Sequence, residues 1–200
     1  MMQNKLKIAI TGGIGSGKSA VAEIIKNQGF SVFSCDEIYK ELLRDKQFLN
    51  LISLNFDGVL SADGELDRQK LSDIVFNDKT ALGVLNNITQ PSIMDELLRQ
   101  CESKNIAFAE VPLLFENGFE KLFNGVIVVL RNEEDRISAI CKRDKISVKK
   151  AKLRLKAQFN YNNCEFAEYY VIHNNGNFED LERDTLNVIG KIKAKYLKNF

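Results

Sequence analysis

The sequence predicts an α/β protein built on one parallel sheet with helices covering both of its faces. Three observations predict it. Five short apolar runs recur along the 200 residues, separated by segments whose apolar residues fall at helical spacing. The first run, Leu6 to Ile10, passes through a glycine-rich turn directly into a helix-patterned stretch, which is a β–α unit. The run Val126-Ile127-Val128-Val129 is continuous rather than alternating, as a strand buried on both faces requires.

Taken in order, a first strand is expected from Leu6 to Thr11 and a first helix up to about Gln28, with Gly29 as its C-terminal cap. Phe30 to Phe33 alternates as a short second strand and meets Ser34-Cys35-Asp36, a carboxylate near the strand's C-terminal end, where open α/β sheets gather ligands. From Glu37 to Ser103 the pattern is mostly helical and longer than a β–α crossover needs. It is interrupted by the turn-rich piece Ser61 to Glu65 and again at Gln90-Pro91. Ile106 to Val111 is the third strand, Gly125 to Leu130 the fourth and Tyr169 to Ile172 the fifth. A basic helical segment runs from Glu133 to Lys156, and an amphipathic helix from Phe178 to Leu197 closes the chain.

Composition narrows the function. With 44% hydrophobic residues the chain can bury one good-sized core, so one domain with mobile subdomains is expected. A formal charge of +1 gives no global pull toward nucleic acid or membrane. No apolar run reaches the roughly 18 residues of a membrane span, and the N-terminal pattern is not that of a signal peptide, so a cytoplasmic, membrane-free protein is expected, as a monomer. Cys35, Cys101, Cys141 and Cys164 are scattered and read as inert thiols of a reducing compartment. His173 is the only histidine, which disfavours a His/Cys metal site or Ser–His catalysis.

The chemistry lies in Gly12-Gly13-Ile14-Gly15-Ser16-Gly17-Lys18-Ser19. This is the pattern G-x-x-x-x-G-K-S set between strand and helix, the context of a phosphate-binding loop. Its glycines let backbone N–H groups converge on anionic oxygens, and the following helix adds its positive end. Gly13, Gly15, Ser16, Gly17, Lys18, Ser19 and Ala20 are the candidate ATP contacts. Lys18 is placed to reach the β- and γ-phosphates, and Ser19 to ligate Mg²⁺. The N-K-x-D tetrad of guanine-specific proteins is absent from the sequence, and the helical insertions favour a small-molecule kinase with a cationic lid.

Further stretches carry a specific resemblance. They are Asp63-Gly64-Glu65-Leu66-Asp67-Arg68 with Leu71 and Phe76, Pro112-Leu113-Leu114-Phe115-Glu116, Arg143-Asp144, Ala157-Gln158 and Asn174-Asn175-Gly176. With the loop from Thr11 to Ser19, they make the chain resemble the dephospho-coenzyme A kinases from end to end. The resemblance implies a three-layer P-loop fold with a parallel five-stranded sheet, like that of nucleoside monophosphate kinases. The core is then 1–36, 104–132 and 168–200, with an acceptor-binding helical subdomain at about 37–103 and a lid at about 133–167. It implies ATP-dependent phosphorylation of the ribose 3′-hydroxyl of dephospho-coenzyme A, with Mg²⁺. Asp36 matches the second carboxylate of the family's D-A-D motif and would orient and deprotonate the acceptor hydroxyl; as a plain structural residue it would cap the helix from Glu37 onward. Arg68 falls in the acceptor subdomain, Arg143 in the lid at the family's R-D as a catalytic contact to phosphate charge, and Pro112, Leu113 and Leu114 form an apolar wall beside the acceptor.

The chain departs from the pattern at several positions. D-A-D is Ser34-Cys35-Asp36, the threonine usual after the loop serine is Ala20, and H-P is Gln90-Pro91. The arginine four residues before Arg143 is Ala139, with Arg136 one turn earlier as a candidate to reach the same space. Tyr170 adds a residue to the late A-D-x-V-I-x-N stretch. Lys142 to Lys156 holds eight basic residues against one acidic residue, Asp144; interleaved apolar residues favour a lid over a nucleic-acid surface. The competing readings are a P-loop kinase of another nucleotide or small metabolite, and a non-catalytic nucleotide-binding protein.

Overall fold

The structure, a computed structural model, describes residues 5–161 and 165–196, and within them everything but the side chains of Phe76 and Asn77. Cys164 and the C-terminal end of the last expected helix, Leu197, lie outside the described residues. The chain divides into two compact units, residues 34–100 and the remainder.

The larger unit carries the sheet, with strands β1 (Leu6–Thr11), β2 (Ser31–Ser34, its last residue falling at the unit boundary), β3 (Ile106–Glu110), β4 (Gly125–Leu130) and β5 (Tyr170–His173) in the order β2-β3-β1-β4-β5. β1 pairs parallel with β3 and with β4, and β4 pairs parallel with β5. Because β1 has β3 on one side and β4 on the other, the chain reverses its winding direction at β1. Its C-terminal end is therefore the switch point at which α/β sheets open a ligand crevice.

Helices α1 (Lys18–Asn27) and α8 (Phe178–Tyr196) cover one face of this sheet. Strand alternation puts Ile8 and Ile10 on that face, where they pack with Val21, Ile24 and Ile25 of α1 and Val188, Ile189 and Ile192 of α8. Residues of the opposite face, including Ala9, Ala107, Val126 and Val128, are also buried, which accounts for the unbroken apolar runs. α1 ends as its sequence indicates: Gln28 is the C-cap and Gly29 takes a left-handed φ of 84°. The basic segment after β4 forms two helices, α6 (Glu133–Asp144) and α7 (Val148–Lys156). Lys145 separates them at a left-handed φ of 52°, and Ser147 caps the second. Ile137, Ile140 and Ala151 are buried between the two helices, while the lysines of α7 face solvent.

The smaller unit contains α2 (Cys35–Leu42), α3 (Lys46–Ser53), α4 (Arg68–Asn77) and nearly all of α5 (Lys79–Cys101). Its core gathers Leu43, Phe48, Leu49, Ile52, Phe56, Val59, Leu71 and Val75. Asp45 caps α3 by accepting from the N–H groups of Gln47 and Phe48, and Asp67 caps α4 through Lys70 N at 3.0 Å. The turn expected at Ser61 to Glu65 is a small hairpin: Ser61 N donates to Glu65 O at 2.8 Å, and Leu60 bridges Leu66.

Two expectations are corrected in this unit. The helix does not break at Gln90-Pro91, since α5 continues through Pro91. An internal proline costs about 3 kcal/mol, but Ile93, Met94 and Leu97 just beyond it are almost fully buried, each worth about 1.5–3 kcal/mol. The helix after β2 starts two residues earlier than expected, so its N-cap is Ser34, and Asp36 lies within the first turn, exposed.

Candidate functional site

The site is built on the turn from β1 to α1. Gly17 is the N-cap residue of α1, with φ 99°, so the free N–H groups of the helix's first turn open at the loop. Lys18 folds back, and its Nζ donates to the carbonyls of Gly12 at 2.8 Å and Gly13 at 3.2 Å. Ser16 is 1% exposed, and its Oγ has no hydrogen-bond partner among the described residues. A buried hydroxyl without a partner is costly unless a ligand supplies one.

Four side chains from distant parts of the same unit brace the loop. Arg136 of α6, 8% exposed, donates from Nε to Ile14 O at 2.9 Å. Gln158, just past α7, accepts from Ile14 N at 2.7 Å. Asn174, just past β5, donates from Nδ2 to Ser16 O at 2.8 Å, and its own N–H continues the sheet by donating to Leu130 O. The Tyr161 hydroxyl stands 3.3 Å from Thr11 Oγ1. Glycine is required where these braces come closest: a Cβ at Gly13 would stand 2.2 Å from Arg136 Nη2, and one at Gly17 2.2 Å from Asn174 Nδ2.

Electrostatics follow from this packing. Burial pulls the Arg136 guanidinium below its ordinary pKa, opposed by the nearby Glu133 and the Tyr161 phenol. Burial pushes Tyr161 up to about 12, with Glu116 adding in the same direction. Where α6 meets α7, Asp144 accepts from Arg143 Nε at 2.7 Å and also pairs with Arg154 of α7. The hydrogen bond from Arg143 is the main reason its carboxyl lies below the usual range.

The carboxylate that completes the loop is one the sequence analysis passed over. Ser19 Oγ donates to Glu110 Oε1 at 2.9 Å. Glu110 ends β3 in register with Ile10, so adjacent parallel strands deliver the serine and the carboxylate to the same end of the sheet. A serine hydroxyl beside a carboxylate is the oxygen donor pair that phosphate-loop enzymes use for Mg²⁺, which takes its remaining ligands from phosphate and water. Among the described residues no group of three or more His, Cys, Asp or Glu side chains could hold a metal by itself. The signal available in the sequence was a glutamate closing an apolar strand two residues before Pro112-Leu113-Leu114.

That segment carries a second link. Phe115 lies with its ring centroid 5.4 Å from Phe159, 6.0 Å from Tyr161, 5.7 Å from Phe166 and 5.4 Å from Tyr169. Phe159 N donates to Glu116 Oε1 at 3.2 Å. The stretch after α7 is thereby fastened both to the phosphate loop and to the segment following β3. Beside it, Arg136, Lys152, Lys156, Gln158 and Tyr161 line a cleft of about 280 Å³, and Arg131, Asn132, His173 and Asn175 line another of about 360 Å³.

A family model described as dephospho-CoA kinase matches residues 6–180 of this chain. The chain belongs to the dephospho-CoA kinase family. A relative from Lactobacillus acidophilus, named dephospho-CoA kinase, is 34% identical over 94% of this chain and 98% of its own. One of the same name from Fusobacterium nucleatum is 35% identical over 87% and 92%. Among solved structures, the dephospho-CoA kinase from Campylobacter jejuni aligns with TM-score 0.67 at 32% identity over 94% of this chain and 98% of that one. A shikimate kinase from Acinetobacter baumannii, at 15% identity and TM-score 0.58, shares the fold of the P-loop kinases.

Within this family framework the structure distributes the expected residues unevenly. Gly13, Gly15, Ser16, Gly17, Lys18, Ser19 and Ala20 form one continuous loop and helix start. Pro112 and Leu113 are half-buried after β3, but Leu114 is fully buried and therefore a core residue. Arg143 is exposed on α6 and engaged with Asp144. Arg136 bonds the loop backbone through Nε and lies against Gly13, at one wall of the cleft that Lys152 and Lys156 also line. In the smaller unit, Asp36 sits in the first turn of α2 and Arg68 opens α4, both exposed.

Proposed function

We propose that the chain transfers the γ-phosphoryl group of ATP to the ribose 3′-hydroxyl of dephospho-coenzyme A, yielding coenzyme A and ADP. The observation that carries this reading is the family match across nearly the whole chain, joined to a phosphate loop whose buried Ser16 hydroxyl awaits an acceptor oxygen. Under this reading the loop N–H groups, Ser16 and Lys18 hold the phosphates of ATP, and Lys18 offsets charge on the transferred group. Ser19 and Glu110 would hold Mg²⁺, whose role is to neutralise charge on the phosphate oxygens.

Asp36 accepts a hydrogen bond from the acceptor hydroxyl, orients it and takes its proton as the new O–P bond forms and the bond to the ADP oxygen breaks. Residues 37–103 act as the acceptor-binding subdomain, where Arg68 pairs with anionic groups of the acceptor. Pro112 and Leu113 give it an apolar wall. Residues 133–167 act as the lid, with Arg143 reaching phosphate charge after exchanging its contact with Asp144.

The test is acceptor competition in an ATP-consumption assay. Dephospho-coenzyme A should stimulate ADP release far more than shikimate, gluconate or adenosine monophosphate at equal concentration. Stimulation by one of these instead would assign the chain to another acceptor.

A further inference from the structure

We propose that Arg136 is a positioning residue for nucleotide binding, which aims the amide groups of the phosphate loop by holding the Ile14 carbonyl. The proposal rests on the reading of the chain as an ATP-binding kinase and assigns a role to a residue outside the loop motif. Its starting point is an accounting of the loop's carbonyls. Lys18 takes those of Gly12 and Gly13, Arg136 takes that of Ile14, and Asn174 takes that of Ser16. Each of these four carbonyls is turned toward a side-chain donor, and that of Gly13 also accepts from Ser16 N at 3.1 Å.

A trans peptide is planar, with its C=O and the following N–H pointing in opposite directions. Holding Ile14 O therefore directs Gly15 N–H away from Arg136, and holding Ser16 O directs Gly17 N–H away from Asn174. Glycine has little intrinsic preference to keep these peptides in one orientation, since both signs of φ are open to it. The direction of the amide dipoles must therefore be imposed from outside. Arg136 is suited to do so. Its guanidinium lies against Gly13, at the distance where a Cβ would collide, and Ile14 itself packs into the cluster of Ile137, Ile140 and Ala151 between α6 and α7.

A displaced lid arginine, standing in for the one replaced by Ala139, would need its guanidinium free of the backbone. The geometry of Arg136 is the reverse: it is 8% exposed with Nε committed to Ile14 O. Preorganising a binding loop lowers the ordering cost of the ligand, so the effect belongs in nucleotide affinity and not in the transfer step.

The experiment compares wild type, Arg136→Met and Arg136→Lys by calorimetric titration with ADP and with a non-hydrolysable ATP analogue, alongside steady-state kinetics. Methionine fills the space of the stem without a donor; lysine keeps the charge and one donor. Arg136→Met is expected to weaken nucleotide binding about 10–100-fold, with kcat at saturating ATP within about threefold of wild type. Arg136→Lys is expected between the two. A hundredfold fall in kcat with unchanged affinity would place the guanidinium on the transferred group and overturn the proposal. So would wild-type affinity in both variants. Should Arg136→Met not fold, Arg136→Lys decides by the same split. Titration needs no acceptor, so a wild type that binds ATP yet makes no coenzyme A would defeat the proposed reaction and leave the Arg136 test standing.

Discussion

Glu110 Oε1 accepts a hydrogen bond from the Ser19 hydroxyl at 2.9 Å, tying the last residue of β3 to the first turn of α1. Glu110→Gln keeps an oxygen that can accept from Ser19 and removes only the charge. If that charge holds Mg²⁺, the variant should fold normally and lose roughly 10²–10³-fold in kcat/KM. It should also require more Mg²⁺ to reach half-maximal activity. Metal titrations of the two proteins check this, and an unchanged Mg²⁺ requirement would separate Glu110 from the metal.

Asp36 stands exposed in the first turn of α2, and Ser34 occupies the cap position in front of it. Asp36→Asn should therefore cost little stability while lowering turnover about 10²–10⁴-fold with ATP affinity intact. Thermal melts and single-turnover kinetics measure both sides. A loss of stability as large as the loss of rate would make Asp36 a structural residue of the helix terminus.

Gly13 and Arg136 occupy one space, since a Cβ at Gly13 would stand 2.2 Å from Arg136 Nη2. Gly13→Ala should push the guanidinium off Ile14 and reproduce the nucleotide-affinity loss of Arg136→Met. Because the two changes then act through one contact, the double variant should bind only slightly worse than either single one. Strict additivity in a double-mutant cycle would mean that the two residues act separately.

Tyr161 is buried with its pKa pushed up to about 12. The folded state thus keeps the phenol proton where the unfolded chain, near 10, has released it. Stability is unaffected below pH 10 and falls as pH rises from 10 to about 12, by an upper bound of about 2–3 kcal/mol. Denaturant titrations at intervals over this range should show a steeper decline for wild type than for Tyr161→Phe. Equal slopes would contradict the burial of the neutral phenol.

How much of this was legible in the sequence depended on how local the determining interactions were. β1 and β4 follow apolar runs bounded by glycine or polar turns, and their limits were read to the residue. The phosphate loop and the Ser61–Glu65 hairpin were legible for the same reason, because turn chemistry is encoded within a few positions. Continuation of α5 through Pro91 was not, since local propensity forbids it and burial of Ile93, Met94 and Leu97 overrides it. Lys145 breaks the basic segment in a left-handed conformation with no glycine to signal it. Glu110, Gln158 and Tyr161 join the loop through strand register and contacts more than 90 residues away in the chain, which no local pattern records. Arg136 was singled out for its spacing from Arg143; its hydrogen bond to Ile14 O, 122 residues away in the chain, is not written in any local pattern.

The central claim is the reaction itself, and mass spectrometry of the products formed from protein, Mg·ATP and dephospho-coenzyme A tests it most directly. Wild type should convert dephospho-coenzyme A to a species heavier by one phosphoryl group, with fragmentation placing it on the ribose 3′-oxygen, and Asp36→Asn should form little of it. A folded, ATP-binding protein that leaves dephospho-coenzyme A unmodified would contradict the claim and mean that Ser34, Gln90 and Ala139 belong to a different acceptor chemistry.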